Sequence, residues 1–272
     1  MKLSFSTLAC VDWDLAKIAG LAAEWGYDGV ELRVAGEGQV SPDLSSTERK
    51  KVRDLFSRHH LVIPCLAAYT RFAFPEPELR QENIKALKQV IDLAHDLEAP
   101  YVRTFGANPD RPVDHDNLTS WIAQALVAVD DYATSRGVRV LLETHDLLST
   151  GAEVQQVFAR TGPITAGVLW DVKHSLRKGE SVTETLEQLG GLVYHVHLKD
   201  WLVVPGLNQD RLVLVGAGEL PLATIIGSLR SMGYKGYLSL EWEKYWHPEI
   251  EDSYIAIYQY RQQMKLQRIS HA

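Results

Sequence analysis

The chain has 272 residues, 46% hydrophobic and 23% charged, with a net charge of −7. This is the make-up of a globular protein able to bury a large core, and it excludes long disorder. The acidic balance excludes a polyanionic partner such as nucleic acid, whose backbone needs clustered Lys and Arg.

No run approaches the roughly 18 apolar residues of a membrane span, so no membrane partner is expected. An apolar strand at 3–6 begins almost at once, without the basic segment, long apolar run and cleavage site of a secretory leader. A cytoplasmic protein is expected. Cys10 and Cys65 belong to no CxxC or zinc-finger spacing, and Cys65, after Pro64 in an apolar run, reads as a buried, reduced thiol.

In chain order, short apolar runs alternate with segments of helical period. Strand 3–6 precedes a helix near 14–25, strand 29–32 a helix at 46–60, and strand 61–67 a helix at 76–97. Strand 101–105 precedes a helix at 117–136, strand 138–143 one at 152–160, and strand 166–171 one at 182–189. Strand 193–199 precedes a helix at 222–232, and strand 237–241 one at 250–265. Ser45-Ser-Thr47-Glu48 is a helix-opening signature, and Gly-Tyr pairs close the first and seventh helices. Val138-Arg-Val-Leu-Leu142 and Ala166-Gly-Val-Leu-Trp170 are near-continuous apolar runs, as expected of parallel strands buried on both faces.

The rhythm repeats about eight times without a Gly-rich dinucleotide turn. It therefore favours an α/β fold, a single (β/α)₈ TIM barrel, over a doubly wound sheet. With no Ser/Gly/Pro-rich linker, residues 1–272 read as one domain. The non-periodic stretch 200–218 is a candidate lid after the seventh strand. Gly216-Ala-Gly218-Glu219 before Pro221 reads as a tight turn opening a helix, with phosphate binding at that N-terminus as the alternative.

Polar residues interrupt the last four strands at their C-terminal ends: Glu143, Asp171, His197 and Glu241. In a barrel those ends surround the active-site mouth. Three carboxylates converging with an imidazole repel one another unless a cation lies among them, so one divalent metal is expected there. The oxygen-rich donor set favours Mn²⁺ or Mg²⁺, with Co²⁺ and Zn²⁺ compatible.

Strand alternation gives Glu143 the same direction as His145, and His197 the same direction as His195 and Lys199. His195 lies deeper and reads as a satisfied core histidine; His59-His60 reads as surface. Lys199 has two readings, substrate contact or an ion pair with Asp200. Arg103 suits a substrate carboxylate or phosphate, or else pairs with a carboxylate such as Glu31. Trp242, Tyr245 and Trp246 form either a pocket wall or a subunit interface, so a homo-oligomer stays open.

Leu142-Glu-Thr-His145, Trp170-Asp-Val-Lys-His174, His195-Val-His-Leu-Lys-Asp200 and Leu240-Glu-Trp-Glu243 together resemble the xylose-isomerase-like barrel family, and Gly29-Val-Glu31-Leu32 also matches it. The family includes sugar phosphate isomerases and epimerases, ketose 3-epimerases, inosose isomerases and dehydratases, 3-dehydroshikimate dehydratases and the endonuclease IV branch. The resemblance implies metal ligation by Glu143, Asp171, His197 and Glu241, with His174 facing a small sugar-like or hydroxy-ketone substrate. Tyr69-Thr-Arg71 and Arg103-Thr-Phe105 stand where the endonuclease branch needs further histidines, which disfavours a nuclease. Tyr69, Arg103, Glu143, His145, His174 and Lys199 are similar to the set of the dehydratase acting on 3-dehydroshikimate.

The resemblance thus implies a metal-dependent isomerase or epimerase in which Glu143 and Glu241 exchange a substrate proton through an enediolate. Tyr69, Arg103, His145, His174 and Lys199 would contact the substrate. The alternatives are a dehydratase that expels a β-hydroxyl with His145, His174 or Lys199 as acid, and a non-catalytic metal- or sugar-binding barrel.

Overall fold

A computed structural model describes residues 1–34, 39–107, 113–204, 206 and 210–269, the last two through their backbone alone. Ten strands occur among them: β1 (Lys2–Phe5), β2 (Leu32–Val34), β3 (Cys65–Ala68), β4 (Tyr101–Thr104), β5 (Arg139–Glu143), β6 (Gly167–Asp171), β7 (Val193–Leu198), β8 (Asp200–Leu202), β9 (Arg211–Val213) and β10 (Tyr237–Leu240). The helices are α1 (Leu15–Trp25), α2 (Ser46–Arg58), α3 (Pro77–Asp96), α4 (His115–Thr134), α5 (Gly151–Phe158), α6 (Val172–Arg177), α7 (Val182–Leu189), α8 (Leu222–Ser231) and α9 (Ser253–Ile269).

Eight strands form one parallel sheet in the order β1-β10-β7-β6-β5-β4-β3-β2. Its two ends meet through a parallel bridge between Ser6 and Glu31. Glu31 N donates to Phe5 O and Thr7 N to Glu31 O, both at 2.9 Å. The sheet is therefore closed and has no free edge, which is the (β/α)₈ barrel expected from the eightfold rhythm.

Alternation along each strand sorts the side chains. Val102, Val140, Leu142, Val168, Trp170, Val196, Leu198, Leu238 and Leu240 join the apolar layer beneath the helices. Between them in sequence, Arg103, Glu143, Asp171, His195, His197 and Ser239 are buried polar residues turned toward the barrel axis. Burial of the outer layer, at about 25 cal/mol per Å², holds the staves, so the axial positions are released for chemistry.

Local signals set the helix ends. Ser45 and Glu48 form a reciprocal capping box on α2, as do Thr150 and Glu153 on α5. Gly26 ends α1 at φ 76°, a left-handed conformation that glycine adopts without Cβ strain.

The structure departs from the expected elements in four places, one of them the third strand, which begins at Cys65 and not at 61. The second strand lies later than 29–32, because Gly29 and Glu31 make only isolated bridges before regular pairing starts at Leu32. The stretch 200–218 carries an antiparallel hairpin of β8 and β9; its residues 205 and 207–209 lie outside the described residues. Helix α6 follows β6 directly because Asp171 caps it, its carboxylate accepting from Lys173 N.

Asp200 explains the order of that loop. Its carboxylate accepts from Trp201 N (2.8 Å), Gly216 N (2.8 Å), Gly218 N (3.0 Å) and Leu220 N (2.9 Å). The N–H groups considered for phosphate before Pro221 are thus taken by a protein carboxylate.

Among the described residues no helix is long and apolar enough to cross a membrane. Cys10 and Cys65 are buried free thiols, as expected for Cys65.

Candidate active site

Glu143, Asp171, His197 and Glu241 are delivered by four adjacent staves, and one ligand-capable atom from each lies within 4.8 Å of the others. The register aligns Asp171 with His197, while Glu241 follows β10 and donates its N–H to Leu198 O at 3.0 Å. Asp171 N donates to Thr144 Oγ1 at 2.8 Å, which ties the end of β6 to that of β5.

His197 is the centre of the cluster. Nδ1 lies 3.1 Å from Glu143 Oε1 and 3.3 Å from Glu241 Oε1, while Nε2 lies 2.9 Å from Glu31 Oε2. Burial disfavours an imidazolium, but Glu31 and Glu241 overcome it and hold the ring's pKa well above the usual histidine range. Glu31 also faces His195 Nε2 at 2.7 Å. Against its own burial, His197 and His195 keep the Glu31 carboxyl well below the usual range. His195, lowered by burial against the pull of Glu31, is a core histidine as expected from its depth, but only Nε2 is partnered: Nδ1 is buried without a hydrogen bond.

Lys199 stands on the mouth side of His197. Its Nζ lies 2.7 Å from Asp171 Oδ2, 2.5 Å from Glu241 Oε2 and 2.6 Å from Glu243 Oε1. The expected pair with Asp200 does not form, because Asp200 is occupied by the four loop amides. Burial opposes the Lys199 charge, but Asp171, Glu241 and Glu243 raise its pKa well above normal. Glu241 is held well below its usual range, Lys199 and His197 outweighing burial. Asp171 is pushed up to about 6 by burial, with Lys199 pulling the other way and Glu241 and Glu143 adding repulsion.

Arg103 Nε faces Glu143 Oε2 at 3.3 Å, and Nη1 donates to Ala68 O at 3.0 Å. Its carboxylate partner is Glu143 and not Glu31, which is consumed by two imidazoles. Arg103 and His197, working against burial, hold Glu143 below its usual range. Tyr69 places its ring 5.0 Å from the Arg103 guanidinium and accepts from Arg33 Nε at 2.8 Å.

The two remaining sequence candidates form a pair. His145 and His174 pack with ring centroids 4.1 Å apart and their planes tilted by 48°, and Phe105 backs His145 at 4.8 Å. His174 Nε2 lies 3.6 Å from Asp171 Oδ2. Burial, reinforced by Lys199 and His145, pushes the His174 pKa well below normal. His145 is raised, because its contact with Asp146 and the charge of Glu143 exceed the opposing burial. Opposed shifts in neighbouring groups suit one to donate and the other to accept a proton.

The donor set fits a divalent cation. Five carboxylates (Glu31, Glu143, Asp171, Glu241 and Glu243) face two fixed cations, Arg103 and Lys199, with the His197 imidazole among them. Glu143 Oε2 is buried without a hydrogen-bond partner. A divalent cation among these carboxylates would offset much of the surplus negative charge.

Sequence reasoning missed two contributors, Glu243 and Arg33. Glu243 shares the direction of Glu241 at i+2, a signal present in Leu240-Glu-Trp-Glu243. Arg33 likewise shares the direction of Glu31. Tyr245 and Trp246 pack over the Arg33 guanidinium at 4.6 and 5.8 Å, whereas Trp242 turns away, donating Nε1 to Glu251 O.

A closed parallel barrel whose C-terminal mouth gathers three carboxylates, an imidazole and a lysine is the frame of a barrel with a polar, cation-competent centre. Residues 19–264 match the model of the xylose isomerase-like TIM barrel family, and the chain belongs to that family. Fructoselysine 3-epimerase of Shigella flexneri is 22% identical over 231 residues, spanning 81% of this chain and 82% of that protein. Among solved structures, the probable 3-DHS dehydratase AsbF from Bacillus anthracis superposes with a TM-score of 0.79 at 17% identity, over 97% of this chain and 99% of its own. The IolI protein, solved with a zinc atom, superposes with a TM-score of 0.80 at 20% identity, over 96% of each chain.

Proposed function

We propose that the protein is a divalent-metal-dependent isomerase or epimerase of a ketose, a sugar phosphate or a related polyol ketone. The observation that carries this reading is the convergence of Glu143, Asp171, His197 and Glu241 within 4.8 Å, with two glutamates flanking one imidazole. The similarity to fructoselysine 3-epimerase supports the reaction class, and the zinc in the IolI protein supports a metal. The oxygen-rich set favours Mn²⁺ or Mg²⁺, with Co²⁺ or Zn²⁺ as replacements.

Glu143, Asp171, His197 and Glu241 would hold the cation, which when bound supplies Lewis-acid polarisation of the substrate carbonyl. Glu143 and Glu241 then divide the proton transfer at carbon, one removing and the other returning the proton, a contribution of about 10²–10⁴-fold. Arg103 keeps Glu143 ionised and oriented, so that it is ready to accept. Lys199 neutralises Asp171, Glu241 and Glu243, its three donors taken by these carboxylates, and so holds them in place around the substrate. Tyr69 lines the mouth. The His145–His174 pair moves protons at the substrate hydroxyls.

The test is isotope exchange in D₂O with the Mn²⁺-loaded protein and a panel of ketoses, followed by NMR of carbon-bound protons. Exchange or epimerisation is expected, and Glu143→Gln should reduce it at least 100-fold with an unchanged fold. Retained exchange in that variant removes Glu143 from the mechanism, and silence across the panel leaves a metal- or sugar-binding barrel.

A second reading, a dehydratase of the 3-dehydroshikimate type, is favoured by the packed His145–His174 pair beside Asp171, a proton donor for a leaving hydroxyl. An ultraviolet-absorbing aromatic product from 3-dehydroshikimate in the same assay would select it.

A further inference from the structure

Three guanidinium groups gather around one aromatic pair at the barrel mouth, and one of them has a carboxylate partner. Tyr69 and Phe105 meet edge to face at 5.7 Å. Arg103 lies 4.1 Å from the Phe105 ring and pairs with Glu143. Arg71 lies 4.6 Å from the same ring, and its Nε donates to Ala107 O at 2.9 Å. Arg33 lies 5.0 Å from the Tyr69 ring and 4.6 Å from that of Tyr245, with its Nε donating to Tyr69 Oη.

Neither Arg33 nor Arg71 has an acid within ion-pair distance among the described residues. Asp146, whose Oδ1 lies 2.9 Å from His145 Nδ1, attracts Arg71 electrostatically without forming an ion pair with it. Arg33 is only 4% exposed, and its Nη1 is buried with no hydrogen-bond partner. A desolvated guanidinium normally satisfies its fork with a planar anion, and leaving it unpaired is costly. That cost is incurred at the C-terminal end of β2, two residues beyond Glu31 and next to the Tyr69–Arg103–Glu143 chain, in a protein with a net charge of −7.

We infer that the substrate carries an acid group, a carboxylate or a phosphate, and that Arg33 receives it with Arg71 alongside. This rests on the reading that the mouth holds a hydroxy-ketone. Arg103 is committed to Glu143, so Arg33 and Arg71 take the acid-clamping part. Tyr69, Tyr245 and Trp246 pack around the Arg33 guanidinium and Tyr69 Oη fixes its Nε, leaving the Nη groups for an oxyanion. Arg33 is thus a specificity-determining residue, setting acid-bearing ketoses above neutral ones.

The experiment is calorimetric titration of the Mn²⁺-loaded protein with D-fructose, D-fructose 6-phosphate and 5-keto-D-gluconate, which separates phosphate from carboxylate recognition. At least one acid ketose should bind at least tenfold more tightly than D-fructose. Arg33→Met should reduce that preference to below threefold. Arg71→Met, at a half-buried site where folding is less at risk, should reduce it about threefold. A purely structural stack would lower the melting temperature of Arg33→Met and leave the preference intact.

Acid ketoses binding no more tightly than D-fructose, or a preference that survives both substitutions, would overturn the inference. Isotope exchange with neutral ketoses alone would leave the proposed reaction standing while this inference falls. An acid preference lost with Arg33, but with no exchange in any substrate, would do the reverse.

Discussion

The carboxylate of Glu31 lies behind the ring of His197, 2.9 Å from Nε2, on the side opposite Glu143 and Glu241. A carboxylate in that place fixes the imidazole orientation, keeps the proton on Nε2 and raises the basicity of Nδ1 toward a cation. Glu31→Gln should therefore weaken Mn²⁺ binding by about 10–100-fold, read by calorimetric titration at neutral pH. Unchanged affinity would reduce Glu31 to a partner of His195 alone.

Lys199 acts as the internal counter-ion of the mouth, buried against Asp171, Glu241 and Glu243. Lys199→Met leaves those carboxylates facing one another, a loss of about 3–5 kcal/mol for a broken buried pair. The melting temperature in EDTA should drop sharply. Added Mn²⁺ should restore a larger part of it than it adds to the wild type. Equal metal-induced shifts in the two proteins would contradict a shared electrostatic site.

Asp200, itself fully buried, holds the turn after β9 through the amides of Gly216, Gly218 and Leu220 and accepts from Trp201 N as well. Asp200→Ala leaves these donors without their acceptor and should cost about 3–5 kcal/mol, measured as a lower urea midpoint. A loss below about 1 kcal/mol would mean that water replaces the carboxylate.

Stability should fall in alkali through buried tyrosines. Burial raises Tyr27 well above the usual range and pushes Tyr237 up to about 12, Asp28 and Tyr101 adding to the latter. The folded chain keeps these protons while the unfolded chain releases them near pH 10, so their contribution is complete below pH 10 and is lost as pH rises toward 12. Each group adds a slope approaching about 1.4 kcal/mol per pH unit. Urea unfolding at pH 9 and 11 checks this, and Tyr27→Phe should flatten the decline. An identical decline in that variant would assign it to other groups.

The barrel was legible because its cause is local and periodic: eight apolar runs separated by helical segments leave few closed arrangements other than a (β/α)₈ sheet. The axial quartet was legible for the same reason. A carboxylate or imidazole at the end of an apolar strand stands out against its neighbours, and the C-terminal end of a parallel stave has only one place to go. Ion-pair partners were not legible. Arg103 meets Glu143 and not Glu31, and Lys199 meets Asp171, Glu241 and Glu243 and not Asp200, because partners across a closed barrel depend on stagger and depth that strand alternation does not encode. Alternation alone therefore determined which side chains turn inward in this protein. Only closure of the sheet between Ser6 and Glu31 decided which of them touch, since it brings Glu31 behind His197 across 166 positions of sequence.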